Sequence, residues 1–347
     1  MATHSEPTAR EPTEPTLRAL DVAPGAAVGA WVGAGGESLA AALAGEHATE
    51  LERLWGWEIA VLGGDRRAAA GAWAARAGAT EAGTLRELAR PGIASALVIG
   101  REPPSDDDLR ALLEGDRQVI LALSQPISLA AATRLGDRLG RLVEVPSLRL
   151  ATMWRAATPL IDELRGDGPL TMMSVRLRCP TGERTVDAML LDACAACADL
   201  LDAPESVVGV GRMPAEAAEA RSFCAIVRTA LGAIAIMDIA DAGGWSRELE
   251  LLGAGGRLRC SDVAIERWSS AGDLRERQEV RGATNVVSAA ADALRGLTAQ
   301  GLTAQRGVRV DREHALAPFA LAEAAKLSAR TGNAESPDRM HELALRP

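Results

Sequence analysis

Closely spaced glycines after a short apolar run are the first residues whose types and spacing indicate chemistry. Gly33, Gly35 and Gly36 follow the run VGAWV, and Ser38 stands where the pattern G-x-G-x-x-G has its third glycine. In that pattern the glycines allow a tight turn, a close approach of the backbone to a pyrophosphate, and close packing of a helix on a strand. The spacing therefore predicts a dinucleotide-binding turn, with a vestigial turn that holds no ligand as the alternative.

Two charged residues follow the next apolar run, EIAVLGG. An acidic side chain at the position of Asp65 would bond a ribose hydroxyl, whereas Arg66 could hold a 2′-phosphate. Because an acidic and a basic residue are both present, the sequence does not distinguish NAD from NADP as the cofactor.

A third chemical position follows the apolar run VILAL, where Ser124, Gln125 and Pro126 precede a helical pattern. The pattern places four apolar residues on one helix face, namely Leu129, Ala132, Leu135 and Leu139. A strand that ends in a polar pair and leads into a helix presents that pair at the carboxyl edge of a parallel sheet. Ligands bind at this edge in such sheets.

The elements that must position these residues alternate along the chain. Short apolar runs and longer helical patterns follow one another from residue 26 to 148, which predicts an α/β domain with a Rossmann-type doubly wound parallel sheet. From 149 to 332 several extended stretches occur in succession, which predicts an α+β domain with an antiparallel sheet. Residues 1–25, rich in Pro, Thr and Glu, are predicted to be a disordered tail, and 333–347 a polar tail.

Composition excludes several classes of function. A net charge of −9 and a pI near 5.2 argue against nucleic-acid binding. The sequence shows neither a membrane-spanning run nor a secretory leader, so we expect a cytoplasmic protein. Of the five cysteines only Cys194 and Cys197 are close in sequence, and no metal site is predicted; the pair is interpreted as two small helical residues. Tyrosine is absent and Lys326 is the only lysine, which removes common proton donors.

Five segments together resemble one family. They are GAGGES, SQPISLAAATRLGD, AMLLDACAACADLL, SRELELLGAGGRLR and ALAPFALAEAAKLSARTG. In this order the chain resembles a divergent member of the glucose-fructose oxidoreductase and inositol dehydrogenase (Gfo/Idh/MocA) family. The resemblance implies a C-terminal domain with a large open, mostly antiparallel sheet, with the last helix packing back on the first domain. It also implies an NAD(P)-dependent oxidoreductase that acts on a sugar or cyclitol hydroxyl, and a homo-oligomer formed through sheet segments 222–239 and 247–252.

The resemblance breaks at the positions that carry chemistry. Gln125 stands where the family has the lysine of Glu-Lys-Pro, and Ala196 stands where it has the histidine of Asp-x-Gly-x-His-x-x-Asp. Asp192 and Asp199 match the two aspartates of that helix motif, and helical spacing places positions 192, 196 and 199 on one face. The loop after the third of the longer apolar runs, residues 100–104, also departs from the family's Thr-Pro pattern. The protein is therefore predicted to be a degenerate enzyme, or a non-enzymatic ligand-binding or oligomerisation module on the same fold.

Few other residues could replace the missing groups. Asp192 could act as a base, although a helix residue bonded to backbone or arginine is the alternative. Arg155, with Arg149 and Trp154 beside it, could grip an anionic or polyhydroxyl ligand together with Asp199, or could form an interdomain salt bridge. Lys326 is expected to be solvated. His314 is expected just before the last helix, in a capping or surface role.

Overall fold

The N-terminal part of the protein is a parallel sheet. The computed structural model describes residues 27–36, 58–114, 117–211, 222–241, 243–299 and 312–344. The strands of this sheet are Ala27–Val32 (β1), Glu58–Gly64 (β2), Thr80–Ala82 (β3), Ile93–Gly100 (β4), Gln118–Leu123 (β5) and Leu142–Val145 (β6). Their order is β3-β2-β1-β4-β5-β6, and every neighbouring pair is parallel. The predicted Rossmann-type sheet is confirmed, and its short edge strand β3 was not predicted.

The strand order reverses direction between β1 and β4, so a crevice opens at the carboxyl ends of these two strands. The glycine turn follows β1 there, and Gly100 ends β4. Helices cover the sheet: Arg67–Ala77 (α1), Asp106–Leu112 (α2) and Leu129–Leu135 (α3). The helix predicted from residue 39 to residue 54 lies outside the described residues.

Helix α3 is shorter than the predicted span from 129 to 142. It begins after Ser128, whose hydroxyl accepts the Ala131 amide, and it ends at Gly136, where φ is +57°. A 3₁₀ turn over Gly136–Arg141 follows, and β6 starts at once because Val143 and Val145 can both be buried against β5. The predicted apolar face is confirmed, since all four of its residues are buried.

The C-terminal part is an eight-stranded sheet. Its strands are Leu170–Cys179 (β7), Pro204–Gly211 (β8), Ser222–Thr229 (β9), Ile234–Asp241 (β10), Ser246–Gly253 (β11), Gly256–Ser261 (β12), Ala264–Trp268 (β13) and Leu274–Glu279 (β14). The order is β14-β13-β12-β11-β7-β10-β9-β8, and only β7 and β10 pair in parallel. The large, mostly antiparallel sheet is therefore confirmed. Strand β14 was not predicted, because every residue of LRERQE is exposed and no apolar period marks it.

Five helices of the described residues follow β6: Thr152–Gly166 (α4), Val186–Leu200 (α5), Val286–Ala299 (α6), Arg312–Thr331 (α7) and Pro337–Ala344 (α8). Helices α4, α5 and α7 pack on the large sheet, whereas Ala293 of α6 packs against β1, β4, β5 and β6 of the parallel sheet. Helix α7 packs on α5 and β8 and also meets α3 and the 3₁₀ turn of the first domain. Helix α8 lies in the segment predicted to be a polar tail; it folds because Pro337 and Met340 are buried. No helix in the described ranges is both long and apolar enough to cross a membrane.

A buried ionic cluster attaches α6 to the rest of the domain. Asp292 accepts a bond from the Thr152 amide at 2.8 Å and lies 3.2 Å from Arg155 and 3.7 Å from Arg247. Arg247 also pairs with Asp262 at 2.6 Å, which explains how an arginine can occupy an inward position of β11. Buried charges in proteins are tolerated when they are paired in this way.

Candidate functional site

The glycine turn is closed by backbone bonds to β4. Gly33 donates to the Ile99 carbonyl at 2.7 Å, and the Arg101 amide donates to the Ala34 carbonyl at 3.0 Å. The turn itself is completed by the Gly36 amide, which donates to Gly33 at 3.1 Å. The predicted residues therefore form a compact turn at the crevice between β1 and β4.

The turn requires glycine at two places. Gly35 has a φ of +76°, which side chains disfavour, and a Cβ on Gly36 would lie 2.8 Å from the Ile99 oxygen. The exposed residues of the turn are Ala34 and Gly35, whose small or absent side chains leave room for a ligand to approach the backbone. The residues present thus fit a pyrophosphate at this turn, as the motif predicts. Ser38, the fourth predicted member, lies outside the described residues.

Asp65 is bonded directly to the turn. Its Oδ2 accepts the Ala34 amide at 2.8 Å, and its own amide donates to Val32 at 3.1 Å. A carboxylate has acceptor capacity for further bonds, so Asp65 can hold the turn and still accept a ribose hydroxyl. Arg66 follows it on the exposed surface, immediately before α1.

The segment Ser124–Gln125 connects the two domains. The Gln125 amide donates to Arg101 at 3.0 Å, while the Ser124 carbonyl accepts both the amide and the hydroxyl of Thr185, at 3.0 and 2.9 Å. Thr185 is the N-cap of α5. The polar segment therefore ties the glycine-turn side of the sheet to the start of α5, and the Gln125 side chain is half-buried there.

A cleft of about 380 Å³ lies beyond this segment, between β6, α5 and α7. Its charged and titratable lining residues are Glu144, Arg149, Arg184, Asp192, Asp199 and His314. Trp154 and Phe319 supply apolar walls. Asp192 lines this cleft, whereas Gln125 is not among its lining residues.

Asp192 is engaged in holding the wall of the cleft. Its carboxylate accepts the Leu148 amide at 2.8 and 3.0 Å and pairs with Arg184 at 3.3 Å; both charged residues are only 6% exposed. These contacts agree with the interpretation of Asp192 as a helix residue bonded to backbone and arginine, rather than as a base. Arg184, which the sequence reading did not single out, carries no spacing signal, because its loop is irregular.

Asp199 lies at the mouth of the cleft between two basic residues. Arg149 donates to its two oxygens at 2.9 and 3.2 Å, and His314 Nε2 lies 3.6 Å from Oδ1. His314 is inside the first turn of α7 rather than before the helix, and its side chain is 54% exposed. The structure thus assembles an aspartate, an arginine and a histidine at the mouth of the cleft.

Glu144 is the acidic residue of the strand LVEV, and it faces the cleft from β6. Burial raises the pKa of this carboxyl to about 7, and repulsion by Asp192 adds to the shift. The Ile127 amide, bonded to Oε1 at 3.2 Å, and the charge of Arg184 oppose it. Glu144 is therefore a proton-exchanging group near neutral pH, and the sequence reading missed it.

Three sequence expectations require correction. Ala196 is 0% exposed in the core, and the residues of α5 that line the cleft include Ala195 in its place. Arg155 does not line the cleft but pairs with Asp292, and because both residues belong to the C-terminal domain this salt bridge is not the interdomain one that was expected. Lys326 is not solvated: its side chain is 15% exposed and pairs with Glu323 at 2.5 Å and with Asp187 at 3.7 Å.

The cysteines have structural surroundings. Cys194 and Cys197 are buried on the sheet-facing side of α5, where the Cys194 sulfur lies 3.9 Å from that of Met237. Burial raises the pKa of the Cys197 thiol to about 12. Within the part of the chain that the structure describes, no group of histidines, cysteines and carboxylates could hold a metal ion.

A Rossmann-type domain joined to an open, mostly antiparallel sheet is the two-domain fold of the inositol and sugar dehydrogenases, and solved structures of that class superpose on this chain. Myo-inositol dehydrogenase from Corynebacterium glutamicum is 18% identical with a TM-score of 0.65, over 92% of this chain and 99% of that one. Myo-inositol dehydrogenase from Lactobacillus casei, in complex with NAD(H) and myo-inositol, is 16% identical with a TM-score of 0.65, over 89% and 96%. Levoglucosan dehydrogenase, in complex with NADH and L-sorbose, is 12% identical with a TM-score of 0.70, over 90% and 98%.

The Gfo/Idh/MocA resemblance predicted from sequence is thus confirmed at the level of the fold. No protein-family model matches the chain, and no curated protein matches it in sequence. The low identities fit a chain that has kept this fold while its sequence diverged.

Proposed function

We propose that this protein binds NAD or NADP at the glycine turn and is an oxidoreductase-like protein for a sugar- or cyclitol-type hydroxyl, with the usual lysine and histidine positions degenerate. The observation that carries the proposal is the turn Gly33–Gly36 closed on β4 and bonded to Asp65 at 2.8 Å. Structural neighbours with the same fold were crystallised with NAD(H), myo-inositol or L-sorbose. A bound nicotinamide would supply hydride transfer; this chain's residues must bind it and move a proton.

The roles of the protein's own residues follow from their positions. Gly33, Gly35 and Gly36 would cradle the pyrophosphate, Asp65 would accept a ribose hydroxyl, and Arg66 would meet a 2′-phosphate if NADP is the cofactor. Oxidising an alcohol also needs a group that takes the hydroxyl proton.

The two expected proton-handling positions do not meet that need. Glutamine cannot exchange a proton at neutral pH, so Gln125 can only hydrogen-bond. Ala196 has no titratable group and lies in the core. We therefore infer that the lysine–histidine route is lost in this protein.

Cofactor binding is tested by titrating the purified protein with NADH and NADPH and following nicotinamide fluorescence. We expect a micromolar Kd for the wild-type protein. Asp65→Asn should raise this Kd about tenfold, since one hydrogen bond to a charged group contributes about 1.5–3 kcal/mol. Asp137→Asn, at an exposed position, is the control. Failure of both dinucleotides to bind the wild-type protein would contradict the proposal.

The alternative is a non-enzymatic oligomerisation module, and one feature of the sheet favours it. Val208, Ile226 and Ile236 lie opposite one another on β8, β9 and β10, with Val208 and Ile226 exposed. Val210 continues this apolar patch and is 66% exposed. Under this alternative the protein would associate through its sheet without binding either dinucleotide.

A further inference from the structure

The cleft is lined by side chains that can accept a proton, although the two expected positions cannot. The chain has four histidines, one lysine and no tyrosine. Among the described residues, the histidines are His314 and His341, and only His314 lines the cleft. Lys326 is engaged by Glu323 and Asp187 away from the cleft. His314 and Glu144 are thus the candidates for proton transfer to a ligand in this cavity.

We propose that His314, which lies beside Asp199, accepts the proton of a ligand hydroxyl in the cleft and so replaces the group lost from α5. The inference rests on the proposed function for the identity of the oxidant, an oxidised nicotinamide dinucleotide.

The geometry favours His314 over Glu144. The imidazole Nε2 lies 3.6 Å from Asp199 Oδ1 at the open end of the cleft, where a ligand can reach it. Asp199 is itself fixed by two bonds from Arg149. Glu144, in contrast, uses one oxygen to accept the Ile127 amide and stands on the inner wall. A carboxylate this close offsets the positive charge that an imidazole acquires when it takes up a proton, which favours general-base catalysis.

The charges around His314 come from every wall of the cleft. Arg149 and Asp199 face it directly, while Arg184 and Asp192 form a neutral pair on α5 and its preceding loop. Glu144 contributes from β6, and Glu313 is the neighbour on α7 itself. The two arginine–aspartate pairs cancel in formal charge.

The ligand O–H bond breaks, and its proton passes to the imidazole of His314. The carbinol hydrogen would leave carbon with the electron pair of the C–H bond as a hydride, for which a bound oxidised nicotinamide would be the acceptor, and the ligand C–O bond would become a carbonyl. The alcohol would thus be oxidised and the nicotinamide reduced, and His314 would release the proton to water at the cleft mouth.

The test compares His314→Gln and Asp199→Asn with His341→Gln, which removes an imidazole outside the cleft. Turnover of a panel of cyclitols and sugars that includes myo-inositol is measured with NAD⁺ and NADP⁺ across pH. We expect His314→Gln to lower kcat at least ~10²-fold with an unchanged Kd for the cofactor, because general-base catalysis contributes about 10²–10⁴-fold. Asp199→Asn lowers kcat less and keeps an acidic limb because the imidazole is still present, His314→Gln loses that limb, and His341→Gln behaves as wild type.

A second readout does not need the cofactor. In the ring-proton NMR spectrum, assigned with the two histidine variants, myo-inositol should shift the His314 resonance and leave that of His341 unchanged. An unmoved His314 resonance, an acidic limb that disappears in Glu144→Gln instead, or cofactor binding without turnover of any panel member would each overturn the proposal. Failure of both dinucleotides to bind would instead count against the proposed function, and the NMR arm would still decide whether the ligand meets His314.

Discussion

Asp192 shows how one residue type can fit two roles until its partners are known. Its position in α5 matches the catalytic aspartate that the resemblance implies, yet its carboxylate is buried and is bonded to the Leu148 amide and to Arg184. Removing one partner of a buried ion pair leaves the other charge uncompensated. The side chain therefore contributes to stability first.

We expect Asp192→Ala to lower the free energy of unfolding by about 3–5 kcal/mol, the usual cost of breaking a buried ion pair. Urea denaturation provides the measurement. The exposed Asp137→Ala control should stay within about 0.5 kcal/mol of wild type. A fully stable Asp192→Ala protein that has lost only turnover would favour the catalytic role instead.

Glu144 makes stability depend on pH. Because its pKa rises from an ordinary value of 4.5 to about 7 in the folded protein, the folded state holds a proton that the unfolded chain releases. This contribution is fully present below pH 4.5 and is lost as the pH rises through 7. Glu144→Gln keeps a neutral side chain, so its advantage over wild type in urea midpoint should grow between about pH 5 and pH 8. A difference that does not change with pH would rule this out.

Helix α5 offers a matched pair of alanines for testing which face meets the cleft. Ala196→His forces an imidazole into a filled core, and overpacking costs about 1–3 kcal/mol or more. Ala195→His directs the same side chain toward the cleft and should be less destabilising. Thermal unfolding of the two variants compares them directly, and equal losses would show that our assignment of the faces is incorrect.

At the scale of elements, α6 depends on one carboxylate. Asp292 meets Thr152 of α4, Arg155 and Arg247, so it attaches α6 both to α4 and to the sheet. Substituting it removes a carboxylate partner from the half-buried Arg155 and from the buried Arg247.

Asp292→Ala should therefore cost about 3–5 kcal/mol of stability and should speed amide hydrogen exchange in Val286–Ala299. Breaking the exposed ion pair of Arg176 with Asp238 is the control. It should cost little stability, since a surface ion pair contributes about 0–1 kcal/mol. Amide hydrogen exchange that accelerates uniformly over the chain would show that Asp292 does not stabilise α6 specifically.

At the scale of the whole molecule, the outer face of the large sheet predicts self-association. Exposed apolar patches of this kind mark interaction sites more often than single exposed residues do. We expect a homo-oligomer by light scattering at micromolar concentration, and Ile226→Glu should dissociate it by placing a charge in the centre of the patch. Leu343→Glu, at an exposed apolar site on α8, is the control. A wild-type monomer would contradict this prediction.

Local pattern by itself determined most of the fold. Apolar runs of strand length, helical spacing and glycine turns are properties of neighbouring residues, so they predicted the parallel sheet, the antiparallel sheet and the turn Gly33–Gly36. Strand β14 and helix α8 were not predicted, because their polar sequences show no clear apolar periodicity. Helix α3 ended early at Gly136 for a local reason that the apolar spacing did not reveal.

The candidate site was decided by tertiary structure. Periodicity placed positions 192, 196 and 199 on one face of the helix. It could not decide whether Ala195 or Ala196 meets the cleft at the edge of that face, because the two are neighbours, about 100° of helix rotation apart. Asp199 and His314 belong to different helices and meet only when α7 packs against α5. The pKa of Glu144 likewise follows from burial, which depends on neighbours that are distant in sequence. Chemistry that arises from such long-range contacts appears only when the chain is folded.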